Sequence, residues 1–264
     1  MLKFSRTPPT PDPIYSRACD LLRSARYVVA LTGAGISTES GIPDFRTSGS
    51  GLWSFSNPLD VASIWAFQEQ PANFYNWIRP LSRKFLSARP NPAHLSLAKL
   101  QQAGLLKSII TQNIDDLHQQ AGADRVLQVH GHTRTATCLS CGQVADSRSI
   151  WEAVNRGQPP DGCAHCGGLL KPDVILFGEN LPHTILEQAQ QEALNCDLMI
   201  VAGSSLEVMP AADLPYLARR RGARILLMNL TPTLMDSQAD LILRENLAVS
   251  LPKLAQCWLD GTPS

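Results

Sequence analysis

The stretch "GAGISTESGIPDFR", from Gly33 to Arg46, directly follows the apolar run "YVVALT" and decides the fold class. Gly33 and Gly35 form the G-x-G with which a strand turns sharply towards a bound phosphate in nucleotide-binding α/β folds. The third glycine of that fingerprint would stand at position 38, where the chain has Thr38 instead. The stretch therefore predicts a nucleotide-binding turn that departs from the usual dinucleotide pattern.

Short apolar runs alternate with helical patterns on both sides of this turn. The runs are "SIITQN", "VLQVH", "DVILFG", "LMIVAGS" and "RILLMNL". The helical patterns are residues 13–25, "NPAHLSLAKLQQAG", "IDDLHQQAG", "TILEQAQQEALN" and "PAADLPYLARR". Apolar strands that alternate with helices indicate a parallel sheet with helices on both faces. We therefore predict an α/β fold with a Rossmann-like sheet.

Two segments interrupt this alternation and predict a smaller lobe. Residues 47–90 are rich in Ser, Pro, Trp and Phe, and residues 133–170 contain paired cysteines. Both segments are too long for simple connections in such a fold. We interpret them as insertions into the sheet-forming part of the chain.

The composition excludes several classes of protein. The chain has 264 residues, 23 basic and 23 acidic, and 44% of its residues are hydrophobic. A balanced charge argues against a nucleic-acid binder that depends on general phosphate attraction, and the apolar content argues against disorder. No apolar run is long enough to span a bilayer, and residues 1–13 lack the apolar region of a signal peptide. We expect a cytoplasmic protein that binds neither membranes nor nucleic acid directly.

Four of the seven cysteines form two C-x-x-C pairs, Cys138/Cys141 and Cys163/Cys166. Their separation is close to that of zinc ribbons, and four thiolates complete a tetrahedral site without leaving a position for water or substrate. We therefore predict one structural Zn²⁺. A redox dithiol, two chance pairs, His165 as a replacement ligand and a nucleic-acid-binding ribbon are the alternatives. The scattered Cys19, Cys196 and Cys257 are expected to be buried packing residues and not part of a disulfide framework.

Polar residues follow several of the predicted strands. They are Gln112, Asn113, Ile114 and Asp115 after "SIIT", His130 after "VLQV", Gly203, Ser204 and Ser205 after "LMIVA", and Asn229 after "LLM". The carboxyl ends of parallel strands meet at one edge of a sheet, where such folds bind their ligands. Singly, each residue could be a helix cap or a turn residue. Together with the Gly33 turn they predict one crevice.

At this point the chain resembles the sirtuins, the family of NAD-dependent protein lysine deacylases. The motifs "GAGISTESGIPDFR", "TQNIDDLHQQAG", "VHGH", the C-x-x-C pairs, "KPDVILFGENLP" and "GSSLEVMPAADLP" match the family pattern in order, over about residues 15–255. The resemblance implies a Rossmann-like NAD-binding large lobe, residues 1–47, 91–132 and 171–264. It also implies a small lobe, with a helical module and cofactor loop at 48–90 and a zinc ribbon at 133–170.

The resemblance also explains why the turn continues into Pro43-Asp44-Phe45-Arg46. It implies that Gly33, Ala34 and Gly35 bring N–H groups to the NAD diphosphate, that Arg46 binds that diphosphate, that Asp44 and Ile114 hold nicotinamide, and that Phe45 shields the ribose carbon. No acid stands about 20 residues on to bind the adenosine ribose, and the resemblance implies that Asn229 replaces it. The implied cofactor-binding set is Gly33, Ala34, Gly35, Ser37, Asp44, Phe45, Arg46, Gln112, Asn113, Ile114, Asp115, Gly203, Ser204, Ser205, Asn229, Thr231 and Ala248.

The family mechanism implies catalytic roles for His130, Asn113 and Asp115. The acyl oxygen of the substrate lysine attacks C1′ of the nicotinamide ribose, and nicotinamide leaves. Gln112, Asn113 and Asp115 position the ribose and a water, and His130 is the general base, with an ordinary pKa near 6.5 that suits neutral pH. The products are the free lysine, nicotinamide and O-acyl-ADP-ribose. The segment Ile175, Leu176, Phe177, Gly178 and Glu179 is implied to bind the acyl-lysine peptide through its backbone.

Three other functions remain open from the sequence. The same site could transfer ADP-ribose to protein or hydrolyse NAD, and the chain could instead be a non-enzymatic NAD-sensing or zinc-ribbon interaction module.

Family members that prefer succinyl carry a Tyr-x-x-Arg pair, which Tyr75 and Arg79 miss by one residue. We therefore expect uncharged acyl groups to be preferred over acidic ones. We also expect a monomer.

Overall fold

The computed structural model describes residues 13–44 and 57–261. The strands are β1 (Val28–Thr32), β2 (Leu106–Thr111), β3 (Val126–Gln128), β4 (Gly131–Cys138), β5 (Val144–Asp146), β6 (Leu170–Val174), β7 (Leu198–Ala202), β8 (Arg224–Met228) and β9 (Leu241–Leu243). The helices are α1 (Pro13–Arg23), α2 (Pro58–Val61), α3 (Ile64–Glu69), α4 (Pro71–Ser87), α5 (Pro92–Gln102), α6 (Leu117–Gln120), α7 (Arg148–Asn155), α8 (His183–Asn195), α9 (Leu214–Arg220) and α10 (Leu247–Asp260).

Six strands form a parallel sheet in the order β3-β2-β1-β7-β8-β9. The chain proceeds from β1 outward through β2 to β3, then returns to the other side of β1 with β7. The order therefore reverses between β1 and β7, which is where open α/β sheets form a ligand crevice. The predicted Rossmann-like parallel sheet is confirmed.

Helices cover both faces of this sheet because its central strands are apolar on both sides. Val28 and Ala30 of β1 pack in a cluster that contains residues of α1, α5 and α10. Val29 and Leu31, the alternate residues, pack in a second cluster with residues of α8 and α9. All four side chains are completely buried. This two-sided burial is why the strands read as continuous apolar runs rather than as alternating ones.

Three strands form a second, antiparallel sheet in the order β5-β4-β6. The run "DVILFG" was predicted to be a strand of the parallel sheet, and that is wrong: β6 pairs with β4 and ends at Val174. The apolar side chains of this region, among them Val174 and Leu176, belong to the core of the small lobe. The proposed lobe boundary at residues 170/171 also falls inside β6.

The described part of the 48–90 module consists of the helices α2, α3 and α4. Asn57 and Ser63 begin the first two helices, since each side chain accepts a hydrogen bond from the backbone two or three residues on. Phe67, Phe74 and Tyr75 meet edge to face, with ring centroids 5.3–5.7 Å apart. These aromatic contacts join α3 and α4 into one unit over the second sheet.

Cys19 of α1 and Cys257 of α10 form a disulfide pair, with Cα atoms 6.2 Å apart. The expectation that both are merely packing residues is therefore wrong, because the fold places the first and last described helices side by side. Cys196 is buried and free, as expected. Within residues 13–44 and 57–261, no helix has the length and apolarity needed to cross a bilayer.

Candidate active site

A cavity of about 750 Å³ lies where the carboxyl ends of the parallel strands face the small lobe. Its wall contains residues that directly follow β1, β2, β7 and β8, together with residues of α4, α7 and the segment after β6. Of the predicted site residues, those in the wall are Gly33, Ala34, Gly35, Asp44, Gln112, Asn113, Ile114, His130, Ile175, Leu176, Phe177, Gly178, Glu179, Gly203, Ser204, Ser205, Asn229 and Thr231. The fold thus brings together residues that are up to about 200 positions apart.

The glycines of the first turn lock it against the turn after β7. The N–H of Gly33 donates to the carbonyl of Ala202 at 3.1 Å, and that of Gly35 donates to the carbonyl of Gly203 at 2.9 Å. Both N–H groups therefore donate within the protein, and their binding of a diphosphate stays a prediction. A Cβ atom at Gly35 would lie 2.9 Å from the Gly203 backbone, so glycine is needed for this close approach. The two turns therefore pack closely against each other, and Gly33, Ala34, Gly35 and Gly203 all line the cavity.

His130 has a defined tautomer. Its Nδ1 lies 3.1 Å from the carbonyl oxygen of Gln112. A carbonyl only accepts, so Nδ1 carries the proton in the neutral ring and Nε2 is the nitrogen that can accept one. Gln112 in turn donates its side-chain N–H to the Ser204 hydroxyl at 2.8 Å. The ends of β2, β3 and β7 are thereby linked around the candidate base.

Asn113 belongs to a polar network beneath the cavity wall. Its amide nitrogen donates to the carbonyl of Gly33 at 3.2 Å and to the Ser37 hydroxyl at 3.1 Å. Both amide hydrogens are thus used inside the protein, so Asn113 offers its Oδ1, an acceptor, to a ligand. Ser37 donates to the Asp115 carboxylate at 2.6 Å. Asn113 is 6% exposed and Ser37 is completely buried, so Ser37 supports the site from behind.

Asp115 also lies behind the wall and not in it. Its second oxygen accepts from the backbone N–H of Leu117 at 3.0 Å. Burial raises the pKa of the Asp115 carboxyl, and the bonds from Ser37 and Leu117 oppose that rise. The Asp115 carboxylate therefore contacts Ser37 and the first residue of α6 and does not line the cavity.

His94 completes this network and was missed by the sequence reasoning. It is completely buried in α5, and its Nε2 lies 3.4 Å from the Ser37 hydroxyl. Its Nδ1 accepts from the backbone N–H of Asn91, which fixes the proton on Nε2. Burial lowers the pKa of His94 to about 4. The available sequence signal was a histidine three residues after the helix-capping Asn91.

One end of the cavity is formed by residues that follow β8, among them Asn229 and Thr231. Asn229 donates its side-chain N–H to the carbonyl of Thr231 at 2.9 Å, and Arg244 donates to the carbonyls of both residues at 2.8 Å. Ala248 does not line the cavity. Its N–H donates to the Asn246 side chain at the start of α10. Phe45 and Arg46 lie outside the described residues.

The predicted peptide-binding segment is held on one edge by the small lobe. Phe177 donates to the carbonyl of Ala62 at 2.9 Å and accepts from the N–H of Ile64 at 3.0 Å. Ile175 donates to the carbonyl of His130 at 2.9 Å. The Glu179 carboxylate accepts a hydrogen bond from the backbone N–H of Leu176 at 2.8 Å. The segment is thus fixed beside the candidate base.

A buried lysine, also missed from the sequence, anchors this segment. The ammonium group of Lys171 lies 3.0 Å from the carbonyl oxygens of Pro172 and Val174 and 3.1 Å from the Glu179 carboxylate. Lys171 is only 7% exposed. Its three N–H groups therefore all have acceptors, as a buried ammonium requires. The sequence signal was the position of Lys171, two residues before the run "DVILFG".

An apolar wall closes the cavity on the side of the small lobe. It includes Phe74, Ile78 and Trp151. The Tyr75 hydroxyl points away and donates to the carbonyl of Leu170 at 3.0 Å. A Cβ atom at Gly157 would lie 2.8 Å from the Arg79 guanidinium, which places that group against the end of α7. Neither residue of the near-match to the Tyr-x-x-Arg pair belongs to the cavity wall.

The four paired cysteines converge, as predicted. The Sγ atoms of Cys138, Cys141, Cys163 and Cys166 all lie within 4.8 Å of one another. Four sulfurs about 2.3 Å from a central zinc would be about 3.8 Å apart, and two of the observed separations are 3.5 Å and 3.8 Å. The four residues fit a structural zinc site that links β4 to the turn before β6.

Comparisons with known proteins agree with this geometry. The model of the Sir2 family matches residues 33–210. An "NAD-dependent protein deacetylase" of Saccharolobus solfataricus is 43% identical over 92% of this chain and 96% of its own length, and an "NAD-dependent protein deacylase 2" of Archaeoglobus fulgidus is 43% identical over 91% and 94%. Among solved structures, one described as "Sir2-p53 peptide-NAD+" has a TM-score of 0.82 and 38% identity, over 90% of this chain and 95% of its own.

Proposed function

This chain belongs to the Sir2 family, and we propose that it is an NAD-dependent protein lysine deacylase that acts on uncharged acyl groups, acetyl above all. The observation that supports this function most directly is the convergence, in one cavity, of the glycine turn, the nucleotide crevice, His130 and the segment 175–179. NAD is consumed as a substrate and provides the ribose to which the acyl group is transferred.

Each polar residue has one task in this proposal. Asn113 presents its Oδ1 to a ribose hydroxyl or a water, because its amide hydrogens are held by Gly33 and Ser37. His130 accepts a proton on Nε2, because Nδ1 donates to the Gln112 carbonyl. Asp44 and Ile114 line the same cavity. Asp44 accepts a hydrogen bond from the nicotinamide amide, and Ile114 packs against the nicotinamide ring. Ser37 and Asp115 orient Asn113 and do not touch a ligand.

The peptide is proposed to pair with the open edge of the segment 175–179. Phe177 uses its N–H and C=O to bind the small lobe. Gly178 follows in a turn, with φ +89°, which the Glu179 N–H closes by donating to the Leu176 carbonyl at 3.1 Å. Within the described residues, the N–H and C=O of Gly178 have no hydrogen-bond partner. They are the groups that a substrate strand would pair with.

We propose further that the enzyme works as a monomer in the cytoplasm on protein substrates, without binding nucleic acid. The four free thiols of the zinc site support a reducing compartment, and the disulfide pair Cys19–Cys257 argues in the opposite direction. The equal numbers of acidic and basic residues support a protein partner rather than a nucleic acid.

Incubation with NAD and a panel of acyl-lysine peptides, followed by mass spectrometry, tests the function. The expected products are nicotinamide, free lysine peptide and O-acyl-ADP-ribose in equal amounts. Peptide-independent nicotinamide release would instead identify an NAD hydrolase, and ADP-ribose on protein a transferase. No NAD turnover with any peptide would leave only the binding-module alternative.

His130→Ala tests the general base. Loss of a general base typically costs about 10²–10⁴-fold in rate, so kcat should fall by that factor while the melting temperature stays within a degree or two. His183→Ala is the matched control, because that imidazole is 86% exposed. A His130→Ala protein that melts earlier but turns over normally would show that His130 is only structural.

A further inference from the structure

Trp65 is an exposed aromatic residue at the rim of the candidate site. It is the second residue of α3 and is 62% exposed, although the neighbouring Phe67 is fully buried. Its indole lies against the backbone of Gly178: a Cβ atom built there would be 2.4–2.8 Å from three ring carbons. One side of the ring is thus covered by the peptide-binding segment, and much of the rest remains in contact with solvent.

The position of this ring relates it to a bound peptide. Trp65 follows Ala62 and Ile64, which pair with Phe177, so the same backbone contacts that fix the segment also fix the ring. The missing side chain of Gly178 would point at the indole. A substrate backbone that pairs with the N–H and C=O of Gly178 passes beside this ring, so one of its side chains can extend over the indole.

The charge around the rim favours a basic side chain. Residues 57–70, which carry Trp65, include Asp60 and Glu69 and no Lys or Arg. Across the cavity mouth, Glu207 lines the wall. Among the described residues that line the cavity there is no Lys or Arg. An exposed indole face beside carboxylates attracts a guanidinium or an ammonium through both the ring quadrupole and the charge.

We infer that Trp65 is a specificity-determining residue, which binds an Arg or Lys side chain of the substrate close to the acyl-lysine. This inference rests on the proposed function and adds to it the class of protein sequence that the enzyme prefers. Because Trp65 contacts Gly178, the basic residue lies on one side of the acyl-lysine only and within about three residues of it, given 3.2–3.4 Å per residue in an extended strand.

The experiment compares acetyl-lysine peptides that carry a single Arg at each of three positions on either side, in an otherwise alanine background. With the unchanged protein, one position should raise kcat/KM and affinity by about 3- to 10-fold, the range that a partly exposed cation–π contact supplies. Trp65→Ala should remove this gain and leave kcat for the all-alanine peptide unchanged. Trp65→Phe should keep part of it.

Two variants separate the proposed contact from loss of apolar surface. Trp65→Lys should reverse the preference, so that Glu at the same position is favoured over Arg. Leu86→Ala is the control, because it removes another exposed apolar side chain, 51% exposed, from the small lobe. Leu86→Ala should leave the Arg preference intact, and both proteins should melt within a degree or two of the unchanged one.

Peptide affinity measured by fluorescence anisotropy provides a readout that does not need turnover. If the unchanged protein and Trp65→Ala bind every Arg peptide with the same affinity, the inference is overturned. So would an equal gain from Tyr or Leu at the responsive position, because that would indicate apolar packing alone. Failure of the proposed function would show differently, as absent deacylation with all peptides.

Discussion

Lys171→Met should lower the stability of the small lobe and weaken its binding of the peptide. Methionine has nearly the same length as lysine but no ammonium group. The substitution removes the three interactions with the Glu179 carboxylate and the carbonyls of Pro172 and Val174. It leaves the Glu179 carboxylate, 20% exposed, without its cation.

The expected loss of stability follows from this burial. Removing one partner of a buried ion pair typically costs 3–5 kcal/mol. Glu179 is partly solvated and keeps its bond from the Leu176 N–H, which places the estimate at the lower end, about 3 kcal/mol. At about 2 °C per kcal/mol for a chain of this size, the melting temperature should fall by about 6 °C.

The kinetic effect should fall on the peptide and not on NAD. Glu179 closes the segment that begins at Ile175, so its release should misplace the backbone groups offered to the substrate. We expect a several-fold higher KM for the peptide and a nearly unchanged KM for NAD. Thermal unfolding and steady-state kinetics on the same preparation measure both quantities.

Two further variants make the result decisive. Lys107→Met is the matched control, because Lys107 is half-buried and its ammonium makes a solvent-exposed bond to the Gly104 carbonyl at 2.8 Å; it should change little. In a double-mutant cycle, Glu179→Gln and Lys171→Met should cost less together than the sum of their separate effects. Equal melting of Lys171→Met and Lys107→Met would refute the reasoning, as would additive losses in the cycle.

The other predictions concern the metal, pH and acyl preference. Cys166→Ser should lower the zinc content from one per chain and unfold the small lobe, whereas Cys196→Ser, at a buried free thiol, should keep the zinc; equal zinc in both proteins would exclude the site. His94 is held neutral by burial with its pKa lowered to about 4 from about 6.5, so its contribution is complete above pH 6.5 and about 3 kcal/mol is lost as the pH falls towards 4. His94→Gln should flatten this loss, and identical stability profiles against pH would contradict it. Acetyl and other uncharged acyl-lysines should exceed succinyl-lysine in kcat/KM, because Ile78 lines the cavity and Arg79 lies against Gly157; a ratio that favours succinyl would contradict this.

The parallel sheet could be predicted from sequence because its strands are buried on both faces. Strands β1, β2, β7 and β8 all read as apolar runs between helical patterns. The same signal misassigned "DVILFG", since an apolar run does not reveal which sheet or core receives it. Strand β9 (Leu241–Leu243), at the edge of the sheet, was not predicted.

Most of the polar residues that line the cavity could be predicted from the sequence, but their hydrogen bonds could not. Polar residues after parallel strands must meet at one edge, and the cysteine spacing is specific enough to predict a metal. Long-range partners carry no local signal. The bonds of Gly33 to Ala202, of Ser37 to Asp115 and the meeting of Cys19 with Cys257 depend on how distant segments pack, which only the fold reveals.

The interlocked glycines of the two turns limit how this protein can evolve. A Cβ atom at Gly33, Gly35 or Gly203 would lie 2.5–2.9 Å from the backbone of the opposing turn. Any larger residue at one of these positions would clash with backbone atoms. A second substitution cannot relieve such a clash, because a substitution changes side chains and leaves the main chain in place. All three positions are therefore expected to stay glycine in any variant that keeps this fold. Side chains elsewhere in the cavity wall, such as Ile78 and Trp151, are not restricted in this way.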